Sequence, residues 1–220
     1  YLDSREIIFT KYHNNNEIID EEKTGISISN NIELIDSKLI IMPGFIATDS
    51  NNEISNLGRG GSDYTASVMA NYTNSEALEI WTDVSGVFSA NPKIVKNSKA
   101  IESLSYKEAM ELSFFGAKVI YFPTLQPLIE KSIPAYIKNT FDKDAIGTCI
   151  SNKAGNNGET TIKGISHIEK ISLINFEGSG MVGVPGFSKR FFGALSEKGI
   201  NVIMITQASS EFSICIAVKE

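Results

Sequence analysis

Apolar runs broken by Gly, Pro and Asn divide most of the chain into alternating strand-like and helix-like segments. Continuous apolar stretches predict buried strands, and apolar residues repeating every three or four positions predict helices packed against them. Strands are predicted at 3–10, 77–84 and 133–140, and the apolar run 38–49, broken by Pro43-Gly44, predicts a buried strand ending in a turn. A solvated loop is predicted at 11–25, and helices at 62–73, from Ser105 onward, and at 124–132. Ser62 or Asp63 is expected to cap the first helix, and Ser105 with Glu108 forms a capping-box pattern for the second. This alternation is typical of an α/β layer with a largely parallel sheet.

A segment rich in Gly, Asn and Lys at 151–161 predicts a linker between two domains, 1–150 and 162–220. After it we predict a strand at 167–176, a glycine loop, a helix at 187–199 that stops at Gly199, and strands at 200–206 and 211–218. This β-α-β-β order lacks the second crossover helix of a Rossmann half. It is most of a ferredoxin-like unit, without its last helix and strand.

The composition narrows the class of protein without identifying it. The chain has 220 residues, of which 42% are hydrophobic and 21% charged, and its formal net charge is −6. That charge predicts no basic surface for nucleic acid or anionic lipid, and no apolar run reaches the ~18–20 residues of a membrane span. Asp3 and Glu6 occupy positions where a signal peptide would be basic. The cytoplasm is therefore the expected compartment.

Cysteine and histidine are too sparse for the common metal and triad sites. Cys149 and Cys215 do not form a metal-spaced pair, and His13 and His167 lie far apart in the sequence. A zinc site, a disulfide framework and a Ser-His-Asp triad are each poorly supported, so no metal ligands are assigned. The chain begins at Tyr1 and ends within a strand-like run, so we expect it to be a piece of a longer protein.

The spacing Gly178-x-Gly180-x-x-Gly183 raises the question of dinucleotide binding, because it follows a strand and precedes a helix. Three details count against that interpretation. Val184-Pro185-Gly186 comes where the helix should already run, the next strand ends in Thr206-Gln207 without an acidic residue, and the topology differs. Two hypotheses remain: a plain glycine-rich turn, or a loop whose backbone N–H groups bind the carboxylate of a small effector.

The stretch LGRGGSDYTAS at 57–67 combines an arginine, a glycine pair and a helix start. The glycines would let a ligand approach the backbone, and the N-terminus of a helix favours an anion. Arg59 would add a charge-assisted partner for a carboxylate or phosphate, and Asp63 a partner for an ammonium group or catalytic cation. The alternative is a capped helix after a glycine turn, with a surface arginine.

Two further segments have positions typical of ligand contacts. Thr82 and Asp83 end a buried strand and open into a loop with Gly and Pro, where ligands of open α/β sheets bind, although Asp83 could equally cap an ordinary turn. Lys118 comes just after a helix end marked by Gly116. It would either complement the helix dipole or reach a nucleotide phosphate.

Long strings of the sequence resemble the aspartokinases of the amino acid kinase family. The strings are LGRGGSDYTAS, EIWTDVSGVFSANP, SYKEAMELSFFGAKVIY and IPAYIKNTF, followed by IKGISHIEKISLINFEGSGMVGVPG and INVIMITQASSEFSICIAV. The last two resemble the first regulatory ACT module of the bifunctional aspartokinase–homoserine dehydrogenases. The resemblance covers nearly the whole chain and implies part of an amino acid kinase fold followed by an incomplete ACT module.

The resemblance implies transfer of the γ-phosphoryl group of ATP to the side-chain carboxylate of L-aspartate, the first step toward lysine, threonine, methionine and isoleucine. It implies Mg²⁺ as the companion of ATP, no tightly bound cofactor, and a homo-oligomer joined through ACT modules. The residues that it implies are Arg59, Gly60, Gly61, Ser62 and Asp63 for aspartate, Thr82, Asp83, Phe88, Lys93, Lys118 and Val119 for ATP, and Met181, Val184, Phe187, Ser188 and Gln207 for an amino-acid effector. Gln207 favours threonine over lysine as that effector.

The sequence departs from the aspartokinase pattern in two respects. Phe88 stands where relatives usually have Tyr, Asn91 where they have Asp, and Lys93 where they have Arg, so the resemblance implies where ATP binds but not how these positions hold it. The family's Lys-Phe-Gly-Gly-Thr-Ser motif is not in this sequence, so the chain alone is expected to be inactive. The alternative is a protein that senses an amino acid without catalysis. The long aspartokinase strings disfavour a glutamate or acetylglutamate kinase.

Overall fold

Helices and strands alternate along the part of the chain that the computed structural model describes, which is residues 1–13, 16–114, 119–153, 162–207 and 212–220. The chain divides into two units, Tyr1–His167 and Ile168–Glu220. The first contains α1 (Ser4–Ile7), β1 (Thr10–His13), β2 (Asn16–Ile19), α2 (Glu21–Ile32), β3 (Ile46–Thr48), β4 (Ile54–Asn56), α3 (Gly61–Tyr72), β5 (Leu78–Thr82), β6 (Ser103–Ser105), α4 (Tyr106–Phe114), α5 (Phe122–Lys131), β7 (Ala135–Asn139) and β8 (Thr148–Ser151). The second contains β9 (Ile171–Glu177), a 3₁₀ turn (Ser179–Met181), α6 (Phe187–Glu197), β10 (Val202–Gln207) and β11 (Ser213–Lys219).

A four-stranded sheet of order β5-β7-β8-β6 lies at the centre of the first unit. β5 is parallel to β7 and β6 to β8, whereas β7 and β8 are antiparallel. Alternate residues such as Ile80, Ile137 and Ile150 are buried, and they pack in one core with Tyr106 of α4 and Leu125 of α5. The prediction of a largely parallel sheet flanked by helices is therefore confirmed.

In the second unit, β9, β10 and β11 form an antiparallel sheet of order β10-β11-β9. Phe187, Phe191 and Leu195 of α6 pack on its buried residues Ile214 and Ile216. The spacing of these α6 residues is that of one helix face, which explains why the sequence alone indicates the helix. The predicted β-α-β-β order is confirmed.

The N-terminal segment differs from its prediction. Residues 3–10, predicted as a strand, contain α1, and the carboxylate of Asp3 caps it by accepting a hydrogen bond from the backbone N–H of Arg5 at 3.0 Å. Residues 11–25, predicted as a solvated loop, contain the antiparallel hairpin β1–β2 and the start of α2. Asp20 caps α2 by accepting from the N–H of Lys23 at 3.3 Å. The hairpin and the start of α2 were not predicted because their sequence is polar: the two strands are short, and α2 buries few residues.

The apolar run 38–49 was predicted as a buried strand ending in a turn at Pro43-Gly44, and that prediction is wrong. Leu39 and Ile41 are 73% and 62% exposed, and only Ile46–Thr48 of this run is a strand. The short strands β6 and β8 were not predicted at all. β8 pairs with both β7 and β6, so its place depends on contacts distant in the sequence.

Candidate functional site

Two glycines with left-handed backbone shape the loop before α3. Gly58 and Gly60 have φ angles of 66° and 68°, and Gly60 is the N-cap of α3 without a side-chain hydrogen bond. The predicted caps Ser62 and Asp63 are therefore wrong. Gly61 is buried, and a β-carbon there would lie 2.9 Å from Cδ2 of Phe45. The N–H of Gly61 donates to the carbonyl oxygen of Gly58 at 3.1 Å, and the N-cap offers the following N–H groups of α3 no side-chain hydrogen bond.

Arg59 and Asp63 are the charged residues of this loop. Arg59 is exposed, and Asp63 is half-buried in the first turn of α3. Burial raises the pKa of Asp63. Within the described residues, neither side chain takes part in an ion pair. A partly desolvated carboxylate without an internal cation would be stabilised by a cationic group of a ligand.

α3 and α5 lie side by side with their N-termini at the same end. At that end, Gly60 contacts Tyr121, the N-cap of α5: a β-carbon on Gly60 would lie 2.4 Å from Cβ of Tyr121. At the other end, the side-chain amide of Asn71 donates to the backbone oxygen of Pro127 at 2.6 Å and to Oε2 of Glu130 at 3.2 Å. The positive ends of both helix dipoles therefore converge beside Gly60, which favours binding of an anion.

The helices differ in how they begin. In α4 the predicted capping box is present, since the N–H of Glu108 donates to Oγ of Ser105 at 3.2 Å and the N–H of Ser105 donates to Oε2 of Glu108 at 2.7 Å. α1 and α2 are capped by acidic side chains as well. By contrast, α3, α5 and α6 begin without a side-chain cap hydrogen bond. These three starts adjoin the residues predicted for aspartate, nucleotide and effector.

The parallel strands β5 and β7 bring their carboxyl ends together. Thr82 ends β5, and its hydroxyl donates to Oδ1 of Asp83 at 3.2 Å. Asn139 ends β7, and its amide donates to Oγ of Ser85 at 2.8 Å. This edge of the sheet is where open α/β folds bind ligands, so Thr82 and Asp83 are well placed for the predicted nucleotide contacts.

The loop after β5 is anchored by a residue that the sequence did not single out. The hydroxyl of Thr148 accepts from the N–H of Val87 at 2.8 Å and donates to the carbonyl of Ile101 at 2.7 Å. Thr148 belongs to β8, so only the strand pairing indicates its role. Phe88 is half-buried and pairs with Ala100 through a β-bridge. The first part of this loop is therefore tied to the sheet.

The tip of the same loop is exposed. Lys93 lies there, and Asn91 supports the backbone by accepting from the N–H of Lys93 at 3.0 Å. Val119 is half-buried and packs against the core of the first unit. Lys118 lies outside the described residues, so its predicted contact with ATP stays a prediction.

A cavity of about 360 Å³ in the second unit brings together all five residues predicted for the effector. Its lining is Met181, Gly183, Val184, Pro185, Gly186, Phe187, Ser188, Gln207 and Ile214. Met181 and Ile214 are buried, and none of these described lining residues is charged. Gly186 has a φ of 82° and is the N-cap of α6, so the glycine loop places the N-terminus of α6 at the cavity. The antiparallel sheet beside it is not that of a dinucleotide-binding fold.

Two models of known families match the chain. The model described as the amino acid kinase family matches residues 2–139, and an ACT domain model matches residues 174–220. The chain belongs to the amino acid kinase family. The described part of this family member contains neither a helix able to cross a membrane nor a group of three or more His, Cys, Asp or Glu residues placed to hold a metal ion.

Similar proteins carry aspartokinase names. The chloroplastic bifunctional aspartokinase/homoserine dehydrogenase 1 of Zea mays is 44% identical over 84% of this chain and 20% of its own length. The crystal structure of E. coli aspartokinase III in complex with aspartate and ADP matches with a TM-score of 0.83 and 28% identity, covering 100% of this chain and 48% of that chain. Its complex with lysine and aspartate matches with a TM-score of 0.75 and 28% identity, covering 99% of this chain and 48% of that chain. The resemblance to aspartokinases is therefore confirmed, and this chain spans about a fifth of the maize relative and about half of aspartokinase III.

Proposed function

We propose that the protein containing this chain is an aspartate kinase, which transfers the γ-phosphoryl group of ATP to the side-chain carboxylate of L-aspartate and yields 4-phospho-L-aspartate. The observation that carries the proposal is the convergence of the N-termini of α3 and α5 beside the loop of Arg59. Carboxylate and phosphoryl groups are both anionic, and this site offers an arginine and two helix starts without side-chain caps. The similar aspartokinase III solved with aspartate and ADP supports this choice of ligands.

In this proposal the two sets of predicted residues have separate tasks. Arg59 binds a carboxylate of aspartate, Asp63 orients its ammonium group, and the backbone of Gly60, Gly61 and Ser62 lines the remainder. Thr82, Asp83, Phe88, Lys93, Lys118 and Val119 bind ATP, which arrives with Mg²⁺ as part of the substrate complex. Phosphoryl transfer depends mainly on positioning and on stabilising charge, so the loop needs no nucleophile of its own.

The reaction would be the first step toward lysine, threonine, methionine and isoleucine. We propose that it takes place in the cytoplasm, although the maize relative is named as chloroplastic. The activity is proposed for the longer protein, because the Lys-Phe-Gly-Gly-Thr-Ser motif of the family is not in this sequence.

We further propose that the cavity of the second unit binds an amino-acid effector, and threonine better than lysine. The polar side chains among its described lining residues are Ser188 and Gln207, which are neutral. The ammonium group of a lysine side chain would lose hydration there without a carboxylate partner, whereas a hydroxyl can pair with the amide of Gln207. We expect the ACT modules to pair in a homo-oligomer.

The test is aspartate-dependent ADP release by the full-length protein, with threonine and lysine titrated separately. Turnover that threonine inhibits would support both the kinase and the effector assignment. Inhibition by lysine alone would contradict the assignment of threonine as effector and would still support the assignment as an aspartate kinase. Threonine binding without any aspartate-dependent turnover would instead favour an amino-acid sensor without catalysis.

A further inference from the structure

We infer that Tyr121 is a positioning residue for this reaction: its side chain holds the Gly60–Gly61 loop in the shape that presents Arg59 to the substrate. The inference rests on the proposed function. It starts from one close approach, in which a β-carbon on Gly60 would lie 2.4, 2.7 and 2.9 Å from Cβ, Cγ and Cδ1 of Tyr121. The backbone of Gly60 and the Tyr121 side chain are thus in direct contact.

The contact lies where the loop turns. Gly60 has a φ of 68°, and its carbonyl accepts the hydrogen bond from the N–H of Tyr64 at 3.0 Å that starts α3. The adjoining Gly61 packs against Phe45, with 2.9 Å between its would-be β-carbon and Cδ2 of the ring. An aromatic side chain therefore contacts each glycine: Tyr121 contacts Gly60, and Phe45 contacts Gly61. Leu57 also approaches Gly61, with 3.0 Å between its Cβ and the would-be β-carbon, so at Gly60 the contact given by Tyr121 is the one that its removal would lose.

Tyr121 also belongs to the segment predicted to contact ATP. It follows Val119 by two residues and Lys118 by three. Its carbonyl accepts from the N–H of Thr124 at 2.9 Å, and the next residues of α5 include the fully buried Leu125. Tyr121 is therefore held in place by α5, which packs in the core. Its side chain connects the N-terminus of α5 to the Gly60–Gly61 loop.

The atoms in contact predict which substitutions matter. Of the three Tyr121 atoms in the approach, Tyr121→Ala removes Cγ and Cδ1 and keeps Cβ, whereas Tyr121→Phe keeps all three and removes only the hydroxyl. Tyr121→Phe should keep the kinetic constants of the full-length protein within about twofold, whereas Tyr121→Ala should lower kcat/KM for aspartate by about 10- to 100-fold, because small misplacements of a binding group are costly. Phe122→Ala is the matched control, since it removes a neighbouring ring that is 44% exposed.

A pair of glycine substitutions tests the same contact from the other side. Gly58 and Gly60 have nearly the same φ, 66° and 68°, but a β-carbon on Gly58 would meet no atom within 4 Å. Backbone strain is therefore similar in Gly58→Ala and Gly60→Ala, and only the second places a methyl group against Tyr121. Gly60→Ala should lower kcat/KM for aspartate at least ~10-fold more than Gly58→Ala. Because alanine at position 121 would keep Cβ, the nearest of the contacted atoms, Tyr121→Gly is the substitution that should relieve part of that loss in the double variant.

The kinetics are measured with aspartate and ATP varied separately, and the melting temperature of each variant shows that it is folded. The inference is overturned if Tyr121→Ala behaves like the parent, or if the two glycine variants are equally impaired. Should Tyr121→Ala fail to fold, the comparison of Gly58→Ala with Gly60→Ala decides alone. A parent without aspartate-dependent turnover would overturn the proposed function itself, which is a different result from an active parent with unaffected variants.

Discussion

Replacing Arg59 with alanine tests the aspartate site most directly. Arg59 is exposed and, among the described residues, takes part in no ion pair. Its removal therefore leaves no internal partner unsatisfied and opens no cavity in the core. We expect the whole effect of Arg59→Ala to appear in substrate binding and none of it in folding.

The magnitude follows from the bond that would be lost. A hydrogen bond to a charged group contributes about 1.5–3 kcal/mol, and about 1.4 kcal/mol corresponds to a factor of ten. Because the guanidinium is exposed to water, we take the lower part of this range and expect the KM for aspartate to rise about 10- to 30-fold. Arg59→Lys keeps the charge without the planar fork, so it should recover only part of the affinity.

The assay is aspartate-dependent ADP release by the full-length protein, with the melting temperature measured in parallel. The melting temperature should change by less than ~2 °C, as for most surface substitutions. A KM for aspartate that stays within twofold of the parent would remove Arg59 from the site. An equal rise in the KM for ATP would mean that the loop serves the nucleotide instead.

Three further predictions concern the elements around the two sites. Asn71→Leu removes the donor to Pro127 and should lower the apparent melting temperature by about 2–12 °C, since an unsatisfied buried group costs about 1–3 kcal/mol. Lys131→Ala, which removes an exposed hydrogen bond from α5 to Asn74 just beyond the end of α3, should lower it by less than ~2 °C. Gln207→Ala should weaken threonine inhibition about 2- to 12-fold and leave uninhibited turnover unchanged, as expected for one neutral hydrogen bond; unchanged inhibition would exclude Gln207 from the pocket. For Glu108, burial raises the pKa, but hydrogen bonds from Ser105 and Lys163 outweigh it and hold the pKa below 4.5. The carboxylate therefore stabilises the fold fully above pH 4.5, and the difference in melting temperature between the parent and Glu108→Gln should shrink as the pH falls below that value.

The parts of the structure that the sequence predicted are those specified by neighbouring residues. Helix α3 lies where 62–73 was predicted, although its N-cap is Gly60 and not Ser62 or Asp63. The capping box of α4 is marked by Ser105 and Glu108, and the face of α6 by its phenylalanine spacing. The five effector residues fall close together because four of them lie in one loop and helix start. Local patterns of this kind indicate a helix without knowledge of its partners.

The remaining features depend on contacts between distant segments. Thr148 supports the loop after β5 only because β8 pairs beside it, and Tyr121 reaches Gly60 only because α3 and α5 lie parallel. Neither contact leaves a trace in local periodicity. The run 38–49 shows the opposite error, since apolar residues predict burial only where another element packs on them, and Leu39 and Ile41 are exposed.

The two units share one way of making a binding site. In both, a helix begins at a left-handed glycine, Gly60 with a φ of 68° and Gly186 with a φ of 82°, and no side chain caps it. Glycine at an N-cap costs only a few tenths of a kcal/mol relative to Ser or Asp, and it gives the first N–H groups of the helix no side-chain partner. In the helices capped by Asp3, Asp20 and Ser105, a backbone N–H group of the first turn donates instead to the capping side chain. The absence of a side-chain cap therefore distinguishes the helix starts proposed to bind substrates and effector from those that only support the fold.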